Sequence, residues 1–190
     1  MDLQQKQELD ELKHIDIKHS DHLFNYWKEY SSLDHWQFWV CFALLVIPLV
    51  LLFIFIDKRK ALLLGFFGYN VHVFFTYIDA VGANNNYWYY PYKVLPILAS
   101  NFTLDASLVP ICYMFVLQWT LNHSHNYYLY MILLSIFFAF IFKPLLVAFT
   151  LFELDRGANY FHLFLGYIVV GFVAKWVTNL FVYLEQKAKA

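Results

Sequence analysis

WQFWVCFALLVIPLVLLFIFI, residues 36–56, decides the fold. No Asp, Glu, Lys, Arg or His interrupts its 21 positions. An α-helix needs about 20 residues to cross roughly 30 Å of hydrocarbon. Pro48 lies inside the run; lipid-buried helices tolerate proline, which here predicts a kink. The run stops at Asp57-Lys58-Arg59-Lys60, too charged to remain in lipid.

Four further apolar runs follow, over residues 61–83, 104–121, 127–149 and 160–183. The third carries Pro110 and the fourth Lys143-Pro144. The runs are unbroken rather than alternating, which excludes barrel strands. The expected fold is all-α, a polytopic bundle of about five transmembrane helices. A four-span count with the third segment re-entrant is the alternative. Composition agrees: the 190 residues are 61% hydrophobic and 14% charged, against about 45–50% and about 25% in soluble domains. That excludes a soluble enzyme and a disordered chain. A net charge of −1 leaves no basic surface for nucleic acid.

Charge divides the chain near residue 35. Residues 1–35 hold eight acids against four lysines, and the remainder six acids against nine bases. The acidic segment spaces Leu9, Leu12, Ile15, Leu23, Phe24 and Trp27 in a loose helical rhythm. It reads as an amphipathic helix, broken near Ser20, lying on the membrane or on the bundle. Its first residues lack the basic start and apolar core of a signal peptide, so the first span is expected to remain in the mature protein. The expected organisation is a tail over 1–35, a bundle over 36–184 and a short basic tail over 185–190. The tight Lys58-Arg59-Lys60 turn belongs in the cytoplasm by the positive-inside rule. Five spans then put the N-terminus outside, the C-terminus inside, and the protein in the plasma membrane.

Charged residues within lipid are costly, face the bundle interior and find partners. Asp79, Asp105, Lys143 and His162 all fall in the outer third of their spans. Lys143 lies six residues from the outer end, roughly 9 Å deep at about 1.5 Å per residue. The expectation is that Lys143 pairs with Asp79, Asp105 or both, in a pocket capped by Trp88 and the tyrosines. The plainer reading is an ion pair that holds three helices in register. Asp105 also has the position of an N-cap for the third span. The loop NNNYWYYPYKVLPILASNFT, residues 84–103, concentrates Trp88, Tyr92 and their aromatic neighbours. It reads as an interfacial belt, or as a lid in which residues 94–102 dip as a short helix. His72, in mid-span, is expected to donate a hydrogen bond between helices rather than to ligate haem or a metal.

Cys41 and Cys112 lie inside apolar runs, and no C-x2-C pair occurs, so neither a disulfide nor a zinc site is expected. His123 and His125 offer an H-x-H pair with no carboxylate beside it. No hydrolase, zinc-protease or nucleotide-binding signature occurs. No metal or other cofactor is expected.

Ile78-Asp79, Gly82, Trp88-Tyr89-Tyr90-Pro91-Tyr92-Lys93, Leu95-Pro96, Asp105-Ala106-Ser107, Pro110, Tyr113-Met114 and Phe142-Lys143-Pro144-Leu145 form a recognisable series. It resembles a group of small, uncharacterised multi-span membrane proteins from Bacillus-like and clostridial bacteria, over about residues 36–180. The resemblance implies topology and a cell-membrane location, with no activity attached. That family often has an acid before the proline where this chain has Lys143, a change of sign that favours pairing with Asp79 or Asp105. The Asp, Gly, Trp-Tyr and acid order is also similar to the small membrane subunits of carotenoid cyclases, without their paired glutamates.

The function these features favour is non-enzymatic: binding, sensing or passing a small ligand, ion or lipid headgroup in an outward-facing polar pocket. Asp79, Trp88, Tyr92, Asp105, Lys143 and His162 are the candidate ligand-binding residues. The alternatives are an intramembrane enzyme acting on an isoprenoid or lipid, and a structural accessory subunit. The expected partners are the bilayer, a small ligand or headgroup, and a membrane protein or second copy.

Overall fold

The structure is a computed structural model that describes residues 2–96 and 99–189. Among these, five helices are long and apolar enough to cross a membrane. They are α2 (Trp36–Phe55), α3 (Ala61–Asn84), α4 (Leu104–His123), α5 (Tyr127–Ala148) and α6 (Tyr160–Lys189). The protein is a polytopic membrane helix bundle. The third segment is a continuous helix of 20 residues, long enough for a full crossing.

Helix α1 (Leu3–Tyr30) precedes them and runs unbroken through Ser20, so the expected break is absent. It has no buried residue. It meets the bundle at its C-terminal end, where Trp27 Nε1 and Ser31 Oγ both donate to the Lys93 carbonyl, at 2.8 and 3.1 Å. The Ser31 hydroxyl also accepts from Lys93 N at 2.9 Å.

Two spans contain a wider, π-type turn, Leu104–Leu108 in α4 and Phe138–Phe142 in α5. Each stands just before a proline, Pro110 or Pro144. A proline ring clashes with the carbonyl four residues earlier and brings no N–H; the extra residue in the turn relieves that clash. Val109 N therefore bonds to Leu104 O, and the next residue, Pro110, has nothing to give the Asp105 carbonyl. His72 supplies the missing donor from α3: its Nδ1 lies 2.8 Å from that oxygen. The mid-span histidine is thus the interhelical donor expected of it.

The short connections follow from local chemistry. Asn126 caps α5 by accepting from Tyr128 N and Leu129 N. Asn159 Oδ1 accepts from Phe161 N and His162 N at the start of α6, while Asn159 N donates back to His162 Nδ1 at 3.2 Å. This reciprocal arrangement resembles a capping box, with a histidine in the glutamate position. Two longer connections meet at one end of the bundle. Trp88–Tyr89 (β1) pairs antiparallel with Glu153–Leu154 (β2), in the register Trp88 to Leu154. The expected helix over residues 94–102 falls partly on Ile97 and Leu98, which lie outside the described residues; Pro96 and Ser100 on either side are in turns and bends.

The core lies between α3, α4, α5 and α6, around Phe67, Tyr113, Met131, Phe138 and Val170. Buried hydroxyls tie neighbouring helices to α6: Tyr113 donates to the Tyr167 carbonyl at 2.8 Å and Tyr127 to the Gly171 carbonyl at 2.9 Å. Gly171 permits this approach, since a Cβ there would lie 2.7 Å from Met131 Cγ. We expect Gly171→Leu to destabilise the bundle by about 1–3 kcal/mol through overpacking. The unfolding midpoint in mild detergent checks this, and Gly65→Leu, where a Cβ meets open space, is the control expected to stay near wild type.

Candidate functional site

Asp79 lies on α3, near its C-terminal end, and is 3% exposed. An isolated carboxylate there would be very costly, and three donors converge on it. Oδ1 accepts from Trp88 Nε1 at 2.8 Å and from the Tyr90 hydroxyl at 2.7 Å. Oδ2 accepts from Asn101 N at 3.1 Å. Successive side chains of an extended strand point to opposite faces, so Trp88 and Tyr90 reach Asp79 together while Tyr89 faces α1. Gly82, one turn after Asp79, makes room for the indole: a Cβ there would lie 1.9 Å from the Trp88 ring.

Asn101 has a second task. Its Oδ1 accepts from Thr103 N at 3.1 Å, and its carbonyl accepts from Leu104 N and Asp105 N, each at 3.0 Å. Asn101 therefore caps α4. The capping role expected of Asp105 is absent, because Asp105 lies one turn further in, inside the π turn.

Lys143 is 1% exposed. Its Nζ donates to the Tyr90 hydroxyl oxygen at 3.0 Å. It also stands over two rings, 3.6 Å from the Phe152 centroid and 4.7 Å from that of Tyr90, a cation–π environment that offsets part of the lost hydration. The direct ion pair expected with Asp79 or Asp105 is absent: the salt bridges among the described residues are all elsewhere. The Tyr90 phenol stands between the charges, accepting from the ammonium and donating to the carboxylate. Burial, then the charges of Asp79 and Asp105, holds this phenol well above its usual range. It keeps its proton at neutral pH and can donate.

Asp105 is 1% exposed, and neither carboxyl oxygen has a hydrogen-bond partner. The carboxyl faces Asp79, with the Ser100 hydroxyl close by but without hydrogen-bond geometry. The Thr103 and Tyr167 hydroxyls are likewise buried without a partner. Lys93, on the loop above, sends its Nζ to the Ala99 carbonyl and lies within electrostatic reach of both acids. Burial brings its ammonium down to about 8 against the pull of Asp79 and Asp105.

Of the six residues singled out from the sequence, Asp79, Trp88, Asp105 and Lys143 come together here. His162 is exposed, with Nδ1 engaged in the cap of α6, and lines a small cavity beside Asp79 and Lys143. Tyr92 contributes its carbonyl, which accepts from Cys41 Sγ at 3.7 Å. Tyr90, expected only as one of the tyrosines capping the pocket, completes the site together with Asn101 and Phe152, which the sequence does not mark as site residues. Two-residue alternation from Trp88 points to Tyr90, and an Asn ahead of the third span points to a cap. Nothing local marks Phe152. Among the described residues no three His, Cys, Asp or Glu side chains group to hold a metal; His123 and His125 stack beside Trp119 instead.

No protein-family model, no curated protein and no solved structure matches the chain. Tyr90 couples Lys143 to Asp79 through one hydrogen bond to each. Asp79→Asn and Lys143→Met should show a coupling energy of about 0.5–3 kcal/mol in a double-mutant cycle. Repeated in a Tyr90→Phe background, the coupling should collapse; unfolding in detergent measures both cycles.

Proposed function

We propose that this chain is a non-enzymatic protein of the plasma membrane that binds a small ligand or lipid headgroup between α3, α5 and α6. Its N-terminus is outside and its C-terminus cytoplasmic. The family resemblance of residues 36–180 belongs to the same proposal. One observation carries the binding reading. Trp88 and His162 line two adjoining spaces: an open vestibule of about 360 Å³ with Arg156 at its edge, and an inner cavity of about 30 Å³ reaching Asp79 and Lys143. Ligand sites combine an apolar lining with a few convergent polar groups. Phe75, Ile78 and Leu163 provide the first here, and Lys143 the polar end.

The inner space holds only two or three waters, since each needs about 10–15 Å³. The arrangement is a closed form, in which a ligand enters as Trp88 moves aside. Arg156, His162 and Lys143 lie along the route, so a group carrying a carboxylate or phosphate suits it best. A second reading, an accessory subunit, is favoured by α1, whose residues 3–22 are all exposed and so free for another membrane protein or a second copy.

Gly166 tests the binding reading without touching a charged group. It lines the inner cavity, and the one contact of an added Cβ is Ile78 at 4.0 Å. Gly166→Val should occupy the space of those waters and leave the unfolding midpoint near wild type. Native mass spectrometry from mild detergent should then show an adduct on the wild type that the variant lacks. Identical spectra from both would favour the accessory-subunit reading, and a retained isoprenoid or carotenoid the enzyme.

Orientation has its own check. A cysteine at Arg156 should react with a membrane-impermeant maleimide on intact cells. One at Lys58 should react only after permeabilisation.

A further inference from the structure

The two buried carboxyls are not equivalent. Asp79 receives three hydrogen bonds, from Trp88, Tyr90 and the Asn101 amide, and is suited to carry a charge. Asp105 receives none, although both its oxygens are sealed from solvent. Asp79 is its acidic neighbour, and Asn101 joins the two, donating its N–H to Asp79 and accepting from Asp105 N with its carbonyl. Two carboxylates that share a buried site repel, which requires a proton or a cation to relieve it.

The surrounding groups do not remove this requirement. From α5, the Lys143 ammonium is committed to the Tyr90 oxygen and the Phe152 ring. From the loop, Lys93 reaches the Ala99 carbonyl, with its charge within reach of both acids. From α3, His72 is engaged by the Asp105 backbone carbonyl rather than its carboxyl. From α6, the Tyr167 hydroxyl lies near with no partner. Helix α2, packed against the same turn, has Cys41 as its one titratable side chain. The Ser100 hydroxyl is buried beside Asp105 and also lacks a partner. Unsatisfied buried polar groups in a native structure call for an explanation.

We propose that Asp79 and Asp105 form a proton-binding site, one proton shared between the two carboxyls, with Asp105 as its carrier and Asp79 as the charged acceptor. The Asp105 O–H then donates toward Asp79, which gives Asp105 a partner and removes the repulsion. Release of this proton leaves two facing anions, with Tyr90 and Trp88 holding only one of them. The inner cavity that touches Asp79, Trp88 and His162 provides the way out for the proton. This inference goes beyond the binding reading and does not require it, since the proton is held whether or not the cavity takes an organic ligand.

The test uses full-length protein in lipid nanodiscs. Infrared spectra at neutral pH should contain the carbonyl band of a protonated carboxylic acid, missing in Asp105→Asn. The folded state holds a proton that the unfolded chain releases at neutral pH. Stability therefore falls as pH rises. Between about pH 5 and about pH 9 the wild-type unfolding midpoint should decline, and that decline should flatten in Asp105→Asn. At the alkaline end Asp105→Asn should be at least as stable as wild type, whereas Asp79→Asn should be less stable throughout. An absent band overturns the proposal, as does an Asp105→Asn variant that keeps the full slope and falls below wild type at alkaline pH. Stabilisation of the wild type by sodium or lithium, with no acid band, would assign the space to a metal cation instead and also overturn it.

Discussion

The carboxylate of Asp79 organises the end of the bundle at which α3 stops and α4 begins. It cannot remain charged inside a helix bundle without donors, and it draws them from parts of the chain that are far apart in sequence. Trp88 and Tyr90 come from the strand after α3, and the Asn101 amide from the residue that caps α4. Through Tyr90 the same network reaches Lys143 on α5. One buried acid thus sets the height of the Trp-Tyr segment, the entry of α4 and the environment of a buried lysine. Gly82 is the steric condition for this arrangement, because any side chain there meets the indole.

The tyrosine between the charges changes what the cluster can do. A direct ion pair in low dielectric is rigid, and breaking it strands both partners. A phenol can accept from an ammonium while donating to a carboxylate, so it transmits a change at one charge to the other. Lys143 is further stabilised by Phe152, delivered by the connection after α5 that pairs with the Trp88 strand. Movement of that strand pair would alter the lysine and the acid together. The same loop is held from the other side by Trp27 and Ser31, which places the otherwise free helix α1 in mechanical contact with the lid of the site.

The two π turns show proline and polar chemistry acting together. Both Pro110 and Pro144 follow a widened turn. The first of these turns holds Asp105 and leaves its carbonyl for His72. Residues read from the sequence as separate oddities, a mid-span histidine, a proline and an acid, are parts of one local solution to a missing N–H. Lys143 stands immediately before the second proline, where its turn meets the remainder of α5.

The sequence alone determined the five apolar runs, the helical character and the depth at which Asp79, Asp105 and Lys143 would meet; the continuous third helix settled that all five are long enough to cross. Those properties depend on the length and unbroken hydropathy of each run, which are local and set by the thickness of hydrocarbon. It also marked Trp88 as part of the site. Only the tertiary structure decided which partner each charge takes. Helix rotation and the path of residues 85–93 place Tyr90 between Lys143 and Asp79, bring Phe152 under the ammonium, and leave Asp105 without a donor. Angles and contacts of that kind arise from packing between distant segments, whereas the depth of a residue along its own helix needs only its position in the chain.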